Sequence, residues 1–96
     1  MPPVADFEGA VLEILAAVRE GEVISYGELA SAAGHRGAAR AVGNLLKGTA
    51  EPVPWWRVVR ADGRLVAPNL AEQVRKLTRE GVTVRDGRVV AGGPLP

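Results

Sequence analysis

The 96-residue chain has no cysteine, one histidine, one methionine, and only four Phe, Trp or Tyr side chains. Without cysteine there is no disulfide, no cysteine–zinc site and no thiol nucleophile. With His35 as the lone histidine, a protein-held metal site is not expected either, and no cofactor is implied. The longest apolar stretches fall far short of the roughly 20 residues needed to cross a bilayer. Met1-Pro2-Pro3-Val4 lacks the basic-then-apolar order of a signal peptide. The expectation is a soluble intracellular (cytoplasmic) monomer with no membrane association. A chain of this length forms one domain, burying about 60–65% of its unfolded surface. That domain should span residues 1–96, with 1–5 and 91–96 loose.

Net charge is also scarce, at +1. It is unevenly placed, however. Residues 1–34 hold six acids against Arg19, a balance of −5, and residues 35–64 hold six bases against Glu51 and Asp62, a balance of +4. Ten of the twelve bases are arginine, the side chain suited to phosphate forks and to stacking on flat rings. Such segregation points to one face built for a polyanion. The scarce aromatics are concentrated too. Both tryptophans are adjacent, in Pro54-Trp55-Trp56-Arg57-Val58-Val59. Two indoles beside an arginine can hold a flat group, or they can fill a core, where tryptophan is usually well buried with its N–H partnered.

Apolar residues Phe7, Val11, Ile14, Leu15 and Val18 recur at helical spacing, with Asp6 as a cap and Gly21 as a stop. Val23-Ile24 is extended, and Ser25-x-x-Glu28 has the spacing of a capping box. It opens a second helix over Tyr26–Ala33, closed by Gly34. A third helix runs from about Gly37 to Lys47, turning Ala38, Ala41, Val42, Leu45 and Leu46 inward. Its other stripe is Gly37, Arg40, Asn44 and Lys47, flanked by Arg36 and Gly43. Glycine inside a helix costs about 1 kcal/mol relative to alanine, so Gly37 and Gly43 imply close approach, either of a partner or of another helix. Val58-Val59 reads as a strand with its turn at Asp62-Gly63. Pro68-Asn69 opens a fourth helix, with Asn69 and Glu72 repeating the capping spacing, Leu70, Val74 and Leu77 on one side, and Gly81 as the stop. Two short strands flank Asp86-Gly87, a strong hairpin signal. The expected fold is therefore mainly α: a winged-helix-like helix-turn-helix domain with a small C-terminal β-hairpin.

Three stretches, Glu22–Ala30, Ala38-Ala39-Arg40-Ala41-Val42-Gly43 and Pro54–Val59, resemble the DNA-binding domain of the O6-alkylguanine-DNA alkyltransferases. The resemblance runs in consistent order from about Phe7 to Glu80-Gly81. The repair enzymes of that family carry Pro-Cys-His-Arg where this chain has Pro54-Trp55-Trp56-Arg57. Tryptophan in place of the alkyl-accepting cysteine is the mark of the alkyltransferase-like proteins, which bind alkylated guanine without repairing it. Chemistry concurs: alkyl transfer needs a thiolate, and no residue here supplies one. The resemblance thus implies a noncatalytic protein.

Residue by residue, the resemblance implies that Arg40 enters the base stack as the extruded nucleotide leaves it. Small neighbours, Ala39, Ala41 and Gly43, let the helix sit in the minor groove. Tyr26 presses on the phosphate beside the flipped base, although a core role for it stays open. Arg36 and Lys47 become phosphate contacts. The lesion pocket comprises Tyr26, Trp55, Trp56, Arg57 and Val58, with the main-chain carbonyls of Trp55 and Val58 facing the guanine amino group and a lid near Val66–Asn69. Glu80 becomes a structural group that bonds a ring N–H. Two departures stand out: Trp56 replaces the usual histidine, and the stretch between Gly63 and Glu80 is short, leaving Arg60 or Arg64 to contribute. The implied partners are double-stranded DNA containing O6-alkylguanine and nucleotide excision repair proteins. A winged-helix regulator reading undamaged sequence through Arg36, Arg40 and Asn44 is the alternative, and a protein-interaction module that no longer binds DNA is a second.

Overall fold

The computed structural model describes residues 4–65 and 69–91. Of the loop expected as a lid, near Val66–Asn69, residues 66–68 lie outside the described residues, as do the outermost residues at each end. Four helices and two short strand pairs make up the described chain. Helix α1 covers Val4–Ala16. It begins before Asp6, which therefore sits inside the first turn and not at the cap. It also ends five residues ahead of Gly21. The reason is local: Ala17 and Val18 donate to Ile14 and Leu15, tightening the last turn to i→i−3 bonds. Gly21, at φ +87°, then reverses the chain.

Strand β1 (Ile24–Ser25) leads directly into helix α2 (Tyr26–Ala32). The capping box is present: Glu28 N–H donates to Ser25 Oγ at 3.0 Å and Ser25 N–H to Glu28 Oε1 at 2.9 Å. At the other end Gly34 and His35 donate back to Ser31 and Ala30, closing the helix through a left-handed glycine. Helix α3 covers Ala39–Gly48. It starts two residues later than the sequence indicates, because Gly37 has φ +88° and belongs to the turn. With that start, Val42 is buried, Leu45 and Leu46 are half-buried, and Ala41 faces solvent.

After α3 the chain passes through a 3-10 turn at Trp55–Arg57 into strand β2, Val58–Val59. Strand β2 pairs in parallel with β1, Ile24 against Val58 and Ser25 against Val59. This pairing places the start of α2 beside the tryptophans. It also divides the interior, since successive strand residues point to opposite sides. Val58 packs with Val11, Leu15, Leu29 and Val42, while Val59 packs with Leu65, Leu77 and Val82.

Helix α4 covers Leu70–Arg79. Asn69 makes no side-chain cap, and Glu72 sits 3.9 Å from Lys76 instead of reaching back. The inward stripe is Gln73 and Leu77, with Val74 half-buried and Leu70 exposed. Gly81 ends the helix at φ +88°. Strands β3 (Thr83–Arg85) and β4 (Arg88–Ala91) form the antiparallel hairpin, its turn set by Asp86 and Gly87 at φ 54° and 74°.

Candidate nucleic-acid interface

Between α2, α3 and the segment after the 3-10 turn lies an open groove of about 1280 Å³. Tyr26 and Gly27 line it from α2, and Ala39, Arg40, Gly43, Asn44 and Lys47 from α3. Trp55, Arg60, Ala61, Asp62 and Asn69 line the opposite side. Three cations and one carboxylate therefore face the space. The carboxylate, Asp62, is not free: its Oδ1 accepts the Arg64 N–H at 3.0 Å, and its Oδ2 is 3.7 Å from Arg88. The Arg64 N–H, seconded by Arg88, holds its pKa below the ordinary carboxylate value despite some desolvation.

Tyr26 stands where β1 delivers the chain into α2, packed against the first core cluster and half-buried. Burial raises its pKa, against an opposing pull from Arg60, so the phenol stays protonated and can donate. Gly43 faces the same ring. A Cβ built on Gly43 would meet Tyr26 Cε1 at 3.8 Å, ordinary van der Waals contact. Internal packing thus does not require a glycine here. What the missing methyl provides is a bare patch of helix on the groove side.

The 3-10 turn separates the tryptophans. Trp55 lines the groove, while Trp56 turns behind it, their rings edge-to-face with centroids 6.0 Å apart. Trp56 packs on the second core cluster and donates Nε1–H to Glu80 Oε2 at 2.9 Å. Lys76 Nζ and Arg57 Cζ lie 4.7 Å and 5.3 Å from its ring centroid, within cation–π range. Arg57 grips both Glu80 oxygens, at 3.0 and 2.6 Å, and reaches the Val18 carbonyl at 2.7 Å. The Gly21 N–H completes the set at 3.1 Å. Burial alone would raise the Glu80 pKa. The bonds from Arg57, then Trp56 and Gly21, outweigh it and hold the carboxyl below its ordinary value.

The fold gathers Tyr26, Ala39, Arg40, Gly43, Lys47 and Trp55 around one space, and Arg60 joins them. Arg36 is exposed but does not line the groove. Trp56, Arg57 and Val58, expected as pocket walls, stand behind it as its support. The Val58 carbonyl, expected to face a guanine amino group, already accepts Gln73 Nε2–H at 3.1 Å, and the Trp55 carbonyl accepts the Val58 N–H. Gln73 also donates to the Trp56 carbonyl at 3.1 Å, so one buried amide clamps the turn from both sides of Arg57. Sequence reasoning passed over Gln73, although its i, i+4 spacing to Leu77 marked it as inward. Asp62 and Ala61 carried no such signal. Among the described residues, no group of three or more His, Cys, Asp or Glu side chains could hold a metal ion. No helix among them is long and apolar enough to cross a membrane.

This geometry has known counterparts. Residues 6–82 match the family described as 6-O-methylguanine DNA methyltransferase, DNA binding domain. A DNA base-flipping protein of Escherichia coli is 44% identical over 82 residues, covering 81% of this chain and 64% of that protein. A bifunctional methyltransferase/endonuclease of Picrophilus torridus is 34% identical over 88 residues, of which the match spans only 30% of its length. Among solved structures, S. pombe ATL in complex with DNA superposes with TM-score 0.80 at 27% identity, covering 92% of this chain and 90% of that one. S. pombe Atl1 bound to damaged DNA containing O6-carboxymethylguanine gives 0.79 at 28% identity, over 88% and 83% of the two chains. Over more than three quarters of its length, with Trp55 and no cysteine at the centre of the shared segment, this chain belongs to the 6-O-methylguanine DNA methyltransferase DNA-binding-domain family.

Proposed function

We propose that this protein recognises O6-alkylguanine in duplex DNA by flipping the damaged nucleotide into the groove, leaves the adduct intact, and passes the site to nucleotide excision repair. The observation that carries the reading is Trp55. It occupies the groove wall at the motif position where the family's repair enzymes, by resemblance, hold the reactive cysteine, and the chain has no thiol to replace it. Extruding a nucleotide costs a few kcal/mol, less for a weakly paired damaged base. Stacking on an aromatic ring returns roughly 1–3 kcal/mol. The two magnitudes are close, so a single indole decides whether the flipped state is populated. Arg40, Tyr26, Lys47 and Arg60 line the same groove; in this reading Arg40 fills the space left in the stack and the other three meet phosphates.

The relatives support this reading: one is named for base flipping, and two S. pombe neighbours are complexes with DNA. The protein acts as a monomer on one duplex. The test is a titration of paired oligonucleotides, identical except for guanine or O6-methylguanine, read by tryptophan fluorescence. The expected result is at least about tenfold tighter binding of the lesion, with quenching specific to it, since 1.4 kcal/mol of stacking is a factor of ten. Mass analysis of both partners afterwards should find the adduct still on the DNA. Equal affinity for both duplexes would overturn lesion recognition and favour a reader of undamaged sequence through Arg40 and Asn44. The hand-off predicts faster incision of the lesion by excision repair proteins when this chain is added.

A further inference from the structure

The family match ends at residue 82, and nothing in the proposed recognition uses the hairpin β3–β4 beyond it. One side of that hairpin has an evident role: Val84 and Val89 are half-buried against the second core cluster. The other side presents Arg85 and Arg88, which are register partners, and Arg64, which bridges Arg88 from the adjoining segment. Partners directly opposite in an antiparallel ladder put their side chains on one face, about 4.5–5.5 Å apart. Arg64, Arg88 and Arg85 therefore stand in a row across three passes of the chain. Like charges directly opposite destabilise a sheet, so the row is unfavourable for the isolated fold. Its facing acids are Asp62, already engaged by the Arg64 N–H and Arg88, and Asp86 in the turn.

The row is also tied to the groove. Leu65 N–H donates to the Gly87 carbonyl and Val89 N–H to the Gly63 carbonyl, both at 2.9 Å. A Cβ on Gly63 would come within 3.0 Å of the Val89 carbonyl, so turn 60–65 and the hairpin fit against each other without slack. Asp62, which holds Arg88, itself lines the groove beside Arg60 and Ala61. A polyanion lying in the groove and leaving it past residues 60–62 meets the arginine row next.

We propose that Arg64, Arg88 and Arg85 form a second phosphate-binding surface for the same duplex, gripping the backbone that flanks the groove. The proposal rests on duplex DNA being the occupant of the groove. It adds affinity without adding lesion discrimination, because phosphate contacts position a duplex and carry no base information.

The experiment compares wild type with the double variant Arg85→Gln/Arg88→Gln on guanine and O6-methylguanine duplexes of about two helical turns, over a range of salt. Each phosphate contact contributes roughly −0.9 to the slope of log K against log salt. The expected result is a slope shallower by about 1.8, weaker binding of both duplexes, and an unchanged lesion-to-guanine ratio. Arg85→Lys/Arg88→Lys should keep the wild-type slope. Both side chains are exposed; should the double variant unfold, Arg85→Gln alone serves, with a change of about 0.9. An unaltered slope in the glutamine variants overturns the proposal, including the case where an acidic protein is the row's true ligand. If wild type shows no lesion preference yet the variant still loses slope, the recognition reading falls and the phosphate surface stands. If lesion preference is present and the slope does not move, only the surface falls.

Discussion

Trp55 and Trp56 are adjacent and chemically identical, yet one forms the wall of an open groove and the other the prop behind it. A 3-10 turn has three residues per revolution, so successive side chains leave it about 120° apart. Trp55 goes to the groove, Trp56 to α4, and Arg57 to Glu80 and the end of α1. On the groove side, Trp55 has no hydrogen bond from its ring to any described residue, and the charged side chains that share the groove with it are Arg40, Lys47, Arg60 and Asp62. On the other side the turn is tied down: Glu80 takes four hydrogen bonds and Gln73 Nε2 donates to two carbonyls. The contrast shows how a small protein can present an indole to a ligand. The stiffness of that turn is supplied from behind, by residues that do not line the groove.

Breaking the supporting side should give the largest effects. Glu80→Ala strands Arg57, whose side chain is only 12% exposed, and unpairs the Trp56 and Gly21 N–H groups. Removing one partner of a buried ion pair costs about 3–5 kcal/mol. Urea unfolding should show a loss of that order, and a loss below about 1 kcal/mol would mean the pair behaves as a surface bridge. Next come the two tryptophans as a matched test. Trp56→Ala should cost about 3 kcal/mol of stability, the low end for a core aromatic because the ring is only half-buried. Trp55→Ala should cost less stability than Trp56→Ala, because Trp55 packs on neither core cluster, while lowering lesion affinity by about 1–3 kcal/mol, roughly fivefold to 150-fold. Equal effects of the two variants on both measurements would erase the distinction between the sides.

How much of this division could be read in the sequence follows from how local each determinant is. The Ser25–Glu28 box was legible because both partners lie within one helical turn and Ser25 is extended, at φ −83°, ψ 158°. Asn69 and Glu72 have the same spacing and fail, because Asn69 sits at φ −98°, ψ 55° and its side chain does not reach the helix N–H groups. The Asp86-Gly87 turn and the glycine stops Gly34 and Gly81 were legible for the same local reason. Gly37 is the opposite case: nothing local separates a first helical glycine from a turn glycine, and its positive φ puts it in the turn, so that α3 starts at Ala39 and Ala41 faces solvent. Nothing local tells Trp55 from Trp56. Their roles are set by Glu80 and Gln73, which arrive from α4 across 24 and 17 residues. The basic residues around the groove were legible as charge segregation, and Arg60 was named among them. Asp62 is legible as a charge and as part of the turn with Gly63, but its place on the groove wall depends on how that turn packs against the hairpin.

Acid should act on the supporting side first. The Glu80 carboxyl titrates below its ordinary value in the folded protein. Its contribution is therefore fully present above the unfolded-state pKa and is lost as pH falls through the lower folded value. Unfolding midpoints measured downward from pH 7 should hold until the carboxylate range and then decline. Glu80→Gln should flatten part of that decline, leaving the part due to Asp62, whose carboxyl is shifted the same way. A variant that keeps the full wild-type acid dependence would show that Glu80 is not the titrating support.

The smallest expected change lies in the groove, and its two readouts should move in opposite directions. Gly43→Ala adds one methyl to the interior of α3, where alanine is favoured over glycine by about 1 kcal/mol. The new Cβ meets Tyr26 at 3.8 Å without a clash, so the gain should appear in full as a higher unfolding midpoint. The same methyl stands on the groove wall between Ala39 and Lys47 and holds a duplex backbone or base edge away from the helix. Lesion affinity should fall while stability rises. A variant that is more stable and binds as well as wild type would place the duplex elsewhere on the molecule. A variant that is less stable would show that Gly43 serves the packing of α3 on Tyr26 after all.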